Sequence, residues 1–152
     1  MSTVFFNSKT IGKTLLEVAV DLIHTNHEDI VSRWYHSAHA TDLFTWVDKG
    51  QNLIKQQLCF NGQVVEWNCL EGLRTGVIIE ADLEESTGTR DDEKIQKSES
   101  IKFDTVPHSR TVGMALEIIN HIPLEIELIR QMLVIIRFFM VTGSHCCSHF
   151  GI

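Results

Sequence analysis

The sequence predicts an α+β fold, in which an antiparallel meander of about five to six strands carries two C-terminal helices packed on its apolar face. Two tight-turn signals, Lys49-Gly50 and Asn61-Gly62, separate short apolar runs between residues 42 and 70. Residues 124–141 instead carry apolar side chains at helical spacing. A polar, acidic segment separates these two parts of the chain, so we expect strands first and helices last.

Length and composition indicate one domain over residues 1–152, because 152 residues of which 43% are hydrophobic can bury a sizeable core. The net charge of −7 argues against a nucleic-acid partner, which requires a basic surface. We expect no membrane span, since no run reaches about 18 apolar residues, and no secretory signal. Cys59 and Cys69 fall in predicted strands and are interpreted as buried thiols, so we expect a cytoplasmic protein.

The N-terminal part of the chain predicts two strands after a short leading segment. Residues 1–14 are interpreted as an arm or a short edge strand. Residues 16–23 alternate between apolar and polar side chains and predict the first strand, with a helix that starts near Ser8 as the alternative. Residues 30–36 predict the second strand, after a polar turn.

Registers between the strands follow from burial and from the turns. Pairing His24 with Ile30 places the apolar side chains of the first strand on the face of Trp34. Pairing Tyr35 with Phe44 continues the same two-faced pattern into the third strand.

Both turn signals are read as two-residue loops. They pair the flanking residues, Asp48 with Gln51 and Phe60 with Gln63, and a type I′ geometry is expected for Asn61-Gly62.

These registers divide the side chains between two faces, because residues alternate across a strand and opposed residues share a face. The predicted core face contains Leu43, Val47, Ile54, Leu58, Phe60, Val65, Trp67 and Cys69. The other face combines aromatic rings with charged and amide side chains, which is typical of recognition surfaces. The predicted binding surface contains Arg33, Tyr35, Phe44, Trp46, Lys55, Gln57, Glu66 and Asn68, with Glu17 and Asp21 beside them. Arg33 is expected opposite both Asp21 and Trp46, where an ion pair and a cation–π contact are available to it.

The rest of the chain is interpreted from composition and periodicity. Residues 75–80 predict the strand that completes the meander, and residues 101–106 predict a further, short strand. Between them, the acidic segment at about 81–100 is too polar to bury much surface, which predicts a mobile loop.

Two helices are predicted towards the C-terminus. Ser109 is expected to cap the first one, which runs to about His121 and ends before Pro123. Residues 124–141 predict the second helix, and its wide apolar stripe suits a sheet face or a homodimer. The tail at 143–152 is expected to be irregular.

Histidines and cysteines give only weak metal candidates. Four such side chains crowd into the tail, but the spacing typical of zinc sites is absent. These weak candidates are His145, Cys146, Cys147 and His149. The pairs His24 with His27 and His36 with His39 are interpreted as exposed polar residues near turns.

No catalytic or cofactor motif is present, so no cofactor is predicted and an enzyme is not the favoured reading. His36, His39, Asp42 and Cys69 include the residue types of a nucleophilic triad, but no motif brings them together.

We therefore expect a non-catalytic cytoplasmic protein that binds a protein partner, or a second copy of itself, through the polar-aromatic sheet face or through the helix at 124–141. The alternative hypothesis is a small-ligand carrier or enzyme with a pocket between sheet and helices. In that case Trp67, Trp34 and Phe60 would line a cavity.

Overall fold

Within the residues that the structure describes, seven strands form one antiparallel sheet in chain order, accompanied by three helices. It is seen in a computed structural model that describes residues 7–18, 29–80 and 99–142. The strands are β1 Leu16–Val18, β2 Ile30–Ser37, β3 Thr41–Asp48, β4 Leu53–Phe60, β5 Gln63–Asn68, β6 Gly72–Glu80 and β7 Glu99–Phe103. The helices are α1 Ser8–Thr14, α2 Ser109–Asn120 and α3 Ile126–Thr142. The predicted α+β meander with two C-terminal helices is thus confirmed, with more strands than expected.

The turn at Asn61-Gly62 has the predicted type I′ form. Both residues have positive φ angles, 48° and 72°, and Phe60 pairs directly with Gln63. This register continues to the pair of Gln56 with Trp67, as predicted.

The turn near Gly50 differs from the prediction of a two-residue loop. The amide of Asp48 donates to the carbonyl of Asn52 at 2.9 Å, and Gln51 has a φ of 65°, so the loop contains three residues. An irregularity in the pairing of β3 with β4 next to Val47 then takes up one further residue. As a result Leu53 is buried in the core and Ile54 is only partly buried, the reverse of the prediction for Ile54.

The register between β2 and β3 also corrects the prediction. Trp34 pairs with Phe44, and Tyr35 pairs with Leu43. The cause is again a three-residue loop, closed by Ala40 with a φ of 52°, where an even number of loop residues was assumed. Each side chain of β2 therefore lies on the face opposite to the one expected from pairing Tyr35 with Phe44.

The hydrophobic core lies between one face of the sheet, the inner face, and the helices. Leu43, Leu58, Val65 and Trp67 are buried there, and the Trp67 ring lies 6.2 Å from that of Phe139 in α3. Of the predicted core residues, Val47 and Cys69 are only half-buried at its margin. The opposite side of the sheet, the outer face, carries the alternate side chains.

The N-terminal segment contains a helix at Ser8–Thr14, where an arm or a short edge strand was predicted, and the predicted strand follows it at Leu16–Val18. Asn7 caps α1 by accepting from the amide of Thr10 at 3.1 Å, and Ile11 and Leu15 enter the core. In β1, Val18 pairs with Trp34, whereas pairing His24 with Ile30 would have placed it opposite His36, so the predicted register is wrong by two residues. Because the shift is even, Val18 still lies on the face of Trp34.

The two C-terminal helices begin differently from the prediction. His108, not Ser109, caps α2, since its Nδ1 accepts from the amide of Thr111 at 3.3 Å. The third helix starts at Ile126 rather than at Leu124. In the described ranges, no helix has the length and apolar character needed to cross a membrane.

Some predictions fall on residues that the structure does not describe. They concern residues 19–28, residues 81–98 of the loop predicted at about 81–100, and the tail at 143–152 with its weak metal candidates. The end of the predicted loop is described, and there residues 99–103 form β7.

Candidate functional site

Three aromatic rings form a row on the outer face of the sheet, where β2 and β3 run side by side. The ring centroids of Trp34 and Phe44 lie 6.1 Å apart with planes 10° apart, and those of Phe44 and Trp46 lie 6.2 Å apart at 30°. His36 lies against Trp34 at 5.9 Å, and the Lys55 Nζ lies 4.8 Å from the Trp46 ring. The row is therefore closed at both ends by the protein's own side chains.

A charged cluster lies next to this row, built around the buried carboxylate of Glu66. Arg74 Nη2 lies 2.6 Å from Glu66 Oε1, and Lys55 Nζ lies 4.0 Å from Oε2. Asn68 donates to the same carboxylate at 3.3 Å. The Arg74 guanidinium also stacks over Phe103, 3.9 Å from its centroid. Burial of the Glu66 charge is thus offset by two cations within the sheet itself.

An open cleft of about 650 Å³ lies on the outer face beside the row of rings. Its volume is within the range usual for small-molecule sites. Strands β2, β3 and β4 contribute its polar groups, and β6 and β7 contribute apolar walls. The side chains that matter for its chemistry are His36, Asp42, Gln57, Cys59, Ile78 and Ile101. We call this recess the Asp42 cleft.

Asp42 is held in a defined orientation within this cleft. Its Oδ1 accepts a hydrogen bond from the indole Nε1 of Trp34 at 2.8 Å and lies 2.7 Å from His36 Nδ1. Asp42 pairs with His36 on one side and with Cys59 on the other. Asp42 on β3 thus lies between His36 on β2 and Cys59 on β4. The imidazole and the thiol are therefore not in the direct contact that a base and a nucleophile form in a catalytic dyad.

The structure brings most of the predicted binding surface together. Phe44 and Trp46 lie on the outer face with the four predicted residues of β4 and β5, which are Lys55, Gln57, Glu66 and Asn68. Arg33 and Tyr35 do not join them, because the shifted register places both on the inner face.

Arg33 illustrates the consequence of this correction. It lies opposite Thr45, not Trp46, and its Nε is 3.9 Å from the carboxylate of Glu17. The cation over Trp46 is supplied by Lys55 instead. The other predicted partner, Asp21, lies outside the described residues.

The predicted binding surface lacks five side chains of this site, which are Trp34, His36, Asp42, Arg74 and Phe103; His36 and Asp42 were considered only as residue types of a catalytic triad. Trp34 and His36 would have been found had a three-residue loop been assumed before β3, since that loop reverses the faces of β2. No sequence signal paired Arg74 with Glu66, which depends on the alignment of β5 with β6.

A second recess, of about 430 Å³, opens between the inner face and the start of α3. Tyr35 forms part of its wall and is only 2% exposed. Burial raises the pKa of the Tyr35 phenol, and the adjacent Arg33 partly opposes this effect. The side-chain amide of Gln131 closes one side by accepting from the amide of Leu53 at 2.9 Å and donating to the carbonyl of Gln51 at 3.0 Å.

Within the described part of the chain, no group of three or more His, Cys, Asp or Glu side chains is arranged to hold a metal ion. Cys59 and Cys69 are half-buried, whereas full burial was expected. Comparison with protein-family models, with curated proteins and with solved structures gives no match to this chain. The function must therefore be inferred from the geometry of the site.

Proposed function

We propose that this chain is a non-catalytic binding protein that holds its ligand or partner on the outer face of the sheet. The observation that carries the proposal is the Asp42 cleft, which lies beside the row of rings on the face that α2 and α3 leave uncovered. Half-buried rings next to a recess with a few polar groups are typical of recognition sites.

The interior of the molecule supports this choice of face. Trp67 and Phe60, which would have lined an internal cavity in a carrier, are packed into the core. Trp34, the third residue expected to line that cavity, lies on the outer face and stacks on Phe44. A non-catalytic role is favoured because Asp42 separates His36 from Cys59 and because Glu66 is bound by two cations. The half-buried thiols are suited to a reducing compartment, so we propose the cytoplasm as the place of action.

The proposal is tested by retention on the immobilised full-length protein. Extract from the native host is passed over the wild type and over Phe44→Ala, which removes the one ring that belongs to both the row and the wall of the cleft. The retained proteins and small molecules are identified by mass spectrometry. The matched control is Val134→Ala, which removes an exposed apolar side chain from α3. A species retained by the wild type and the control but lost with Phe44→Ala supports the proposal. Equal retention by all three proteins contradicts it.

Self-association through α3 is a second candidate, favoured by one observation. Ile126, Val134 and Val141 are exposed along the helix, Val134 to 51%. Apolar side chains at such spacing can pack against a second copy of the same helix.

A further inference from the structure

We infer that the Asp42 cleft binds a small, largely apolar molecule that carries an amine cation, with the carboxylate of Asp42 as its counter-ion. This inference rests on the proposed function and names the class of ligand. The volume of about 650 Å³ accommodates a molecule with one or two rings. Ile78, Ile101 and Phe44 supply apolar walls against which such rings lose their contact with water.

The case for a cation comes from a contrast between two carboxylates of the outer face. The Glu66 side chain is 5% exposed and lies beside both Arg74 and Lys55. The Asp42 side chain is 31% exposed, and among the described residues it forms no ion pair with a lysine or an arginine. The two nearby cations of the outer face are already engaged, Arg74 with Glu66 and Phe103, and Lys55 with Glu66 and Trp46.

The hydrogen bonds of Asp42 leave room for a ligand. Trp34 and His36 both hydrogen-bond to Oδ1, and no described residue forms a hydrogen bond with Oδ2. A carboxylate can accept about four hydrogen bonds, so an ammonium group has free acceptor positions. The bond from the Trp34 indole also holds the carboxylate in place, which lowers the cost of ordering it when a ligand binds.

The same geometry disfavours other head groups. An anionic ligand would be repelled by Asp42 and by the net charge of −7. A neutral ligand would use the apolar walls but would not gain the charge-assisted hydrogen bond to Asp42. A charged pair in a partly dehydrated cleft is therefore what distinguishes an amine from molecules of the same shape.

Three probes of nearly equal shape test the inference on the full chain. Phenethylamine is cationic, phenethyl alcohol is neutral and hydrocinnamate is anionic, and all three carry the same phenyl ring. Binding is measured by ligand-observed NMR and by calorimetry at slightly alkaline pH. We expect phenethylamine to bind with a Kd below about 1 mM, and at least about tenfold more tightly than the other two.

Asp42→Asn is the decisive variant, because it keeps the shape and the acceptor for Trp34 while removing the charge. We expect it to weaken phenethylamine binding by about 10- to 100-fold. Asp29→Asn is the matched control, because it removes the same charge beside the opposite end of β2 and should leave the affinity unchanged. If Asp42→Asn does not fold, as judged by its melting curve, Gln57→Lys replaces it. The new cation should then neutralise Asp42 and abolish amine binding.

Each other outcome overturns the inference. Equal binding of phenethyl alcohol or hydrocinnamate would show that charge does not select the ligand, although an outer-face ligand would stand. Unchanged amine affinity in Asp42→Asn would place the amine elsewhere. Binding of none of the three probes would remove the amine class. The proposed function would still be decided separately, by retention on Phe44→Ala.

Discussion

At the scale of single residues, Trp46 and Trp67 differ because the sheet turns their side chains in opposite directions. Trp67 is 3% exposed and lies in the core against Phe139. Trp46 is half-buried on the outer face, where it contacts Phe44 and Lys55. The first has the packing of a structural side chain, and the second is available to a ligand.

These surroundings predict different losses of stability. Trp67→Ala should lower the free energy of unfolding by about 3–5 kcal/mol, because it leaves a cavity in the core. Trp46→Ala should lower it by about 1–2 kcal/mol, since only a ring contact and a cation–π contact are lost. Denaturant unfolding followed by circular dichroism measures both. Similar losses in the two variants would contradict the assignment of faces.

The raised pKa of Tyr35 allows a prediction of how the stability of the protein depends on pH. Tyr35 is the one tyrosine in the sequence, so the absorbance of phenolate reports on it directly. Burial raises its pKa above the ordinary value of 10.0, so the folded protein retains the proton more strongly than the unfolded chain. This contribution to stability is complete below pH 10.0 and is lost as the pH rises towards the pKa of the folded state. A spectrophotometric titration should show phenolate forming above pH 10.0 in the folded protein, and Tyr35→Phe should reduce the alkaline loss of stability. Ionisation at or below that value would contradict the burial of Tyr35.

At the scale of elements, α1 and α2 approach each other closely at Gly12. A Cβ atom built on Gly12 would overlap the carbonyl oxygen of Ile118 and lie 2.9 Å from the Cβ of His121. Gly113 in α2 provides the opposite case, because nothing lies within 4 Å of the position where its Cβ would be.

The two glycines therefore predict opposite effects of the same substitution. Gly12→Ala should destabilise the protein by about 1–3 kcal/mol, because the two helices must move apart. Gly113→Ala should stabilise it by about 0.5–1 kcal/mol, since alanine restricts the unfolded chain and favours the helix. Thermal unfolding of both variants beside the wild type measures the difference. A stabilising Gly12→Ala would show that α1 does not pack on α2 in this way.

The turns explain why some elements could be predicted and others could not. The turn type at Asn61-Gly62 could be predicted, because both residues adopt positive φ easily. The strands on either side of this turn pair as expected. Ala40 and Gln51 also have positive φ, but alanine and glutamine rarely adopt it, so nothing in the sequence predicted it there. Both close three-residue loops. The three-residue loop between β2 and β3 reversed the predicted faces of β2. Between β3 and β4 the irregularity near Val47 compensated for the extra loop residue, so most side chains of β4 lie on the predicted faces.

At the scale of the whole molecule, the exposed stripe of α3 allows a prediction about association. If α3 joins two copies, as proposed above, the wild type should sediment as a dimer and Val134→Glu as a monomer, because the introduced carboxylates would face an apolar contact. Leu70→Glu is the matched control, since Leu70 is an exposed apolar residue far from α3 in the sequence. Sedimentation velocity of the three proteins decides this. A wild type that sediments as a monomer, or a Val134→Glu that remains a dimer, would contradict a dimer through α3.

The sequence by itself determined the class of the fold, the succession of a strand meander and two C-terminal helices, and the outer-face position of Phe44, Trp46 and the charged residues of β4 and β5. These follow from local periodicity and from a turn whose residues specify its geometry. The tertiary structure alone decided on which face Trp34 lies and that Asp42 meets both Trp34 and His36. The physical reason is that a strand alternates with a period of two, so one loop residue, unmarked in the sequence, exchanges every side chain between the core and the candidate site.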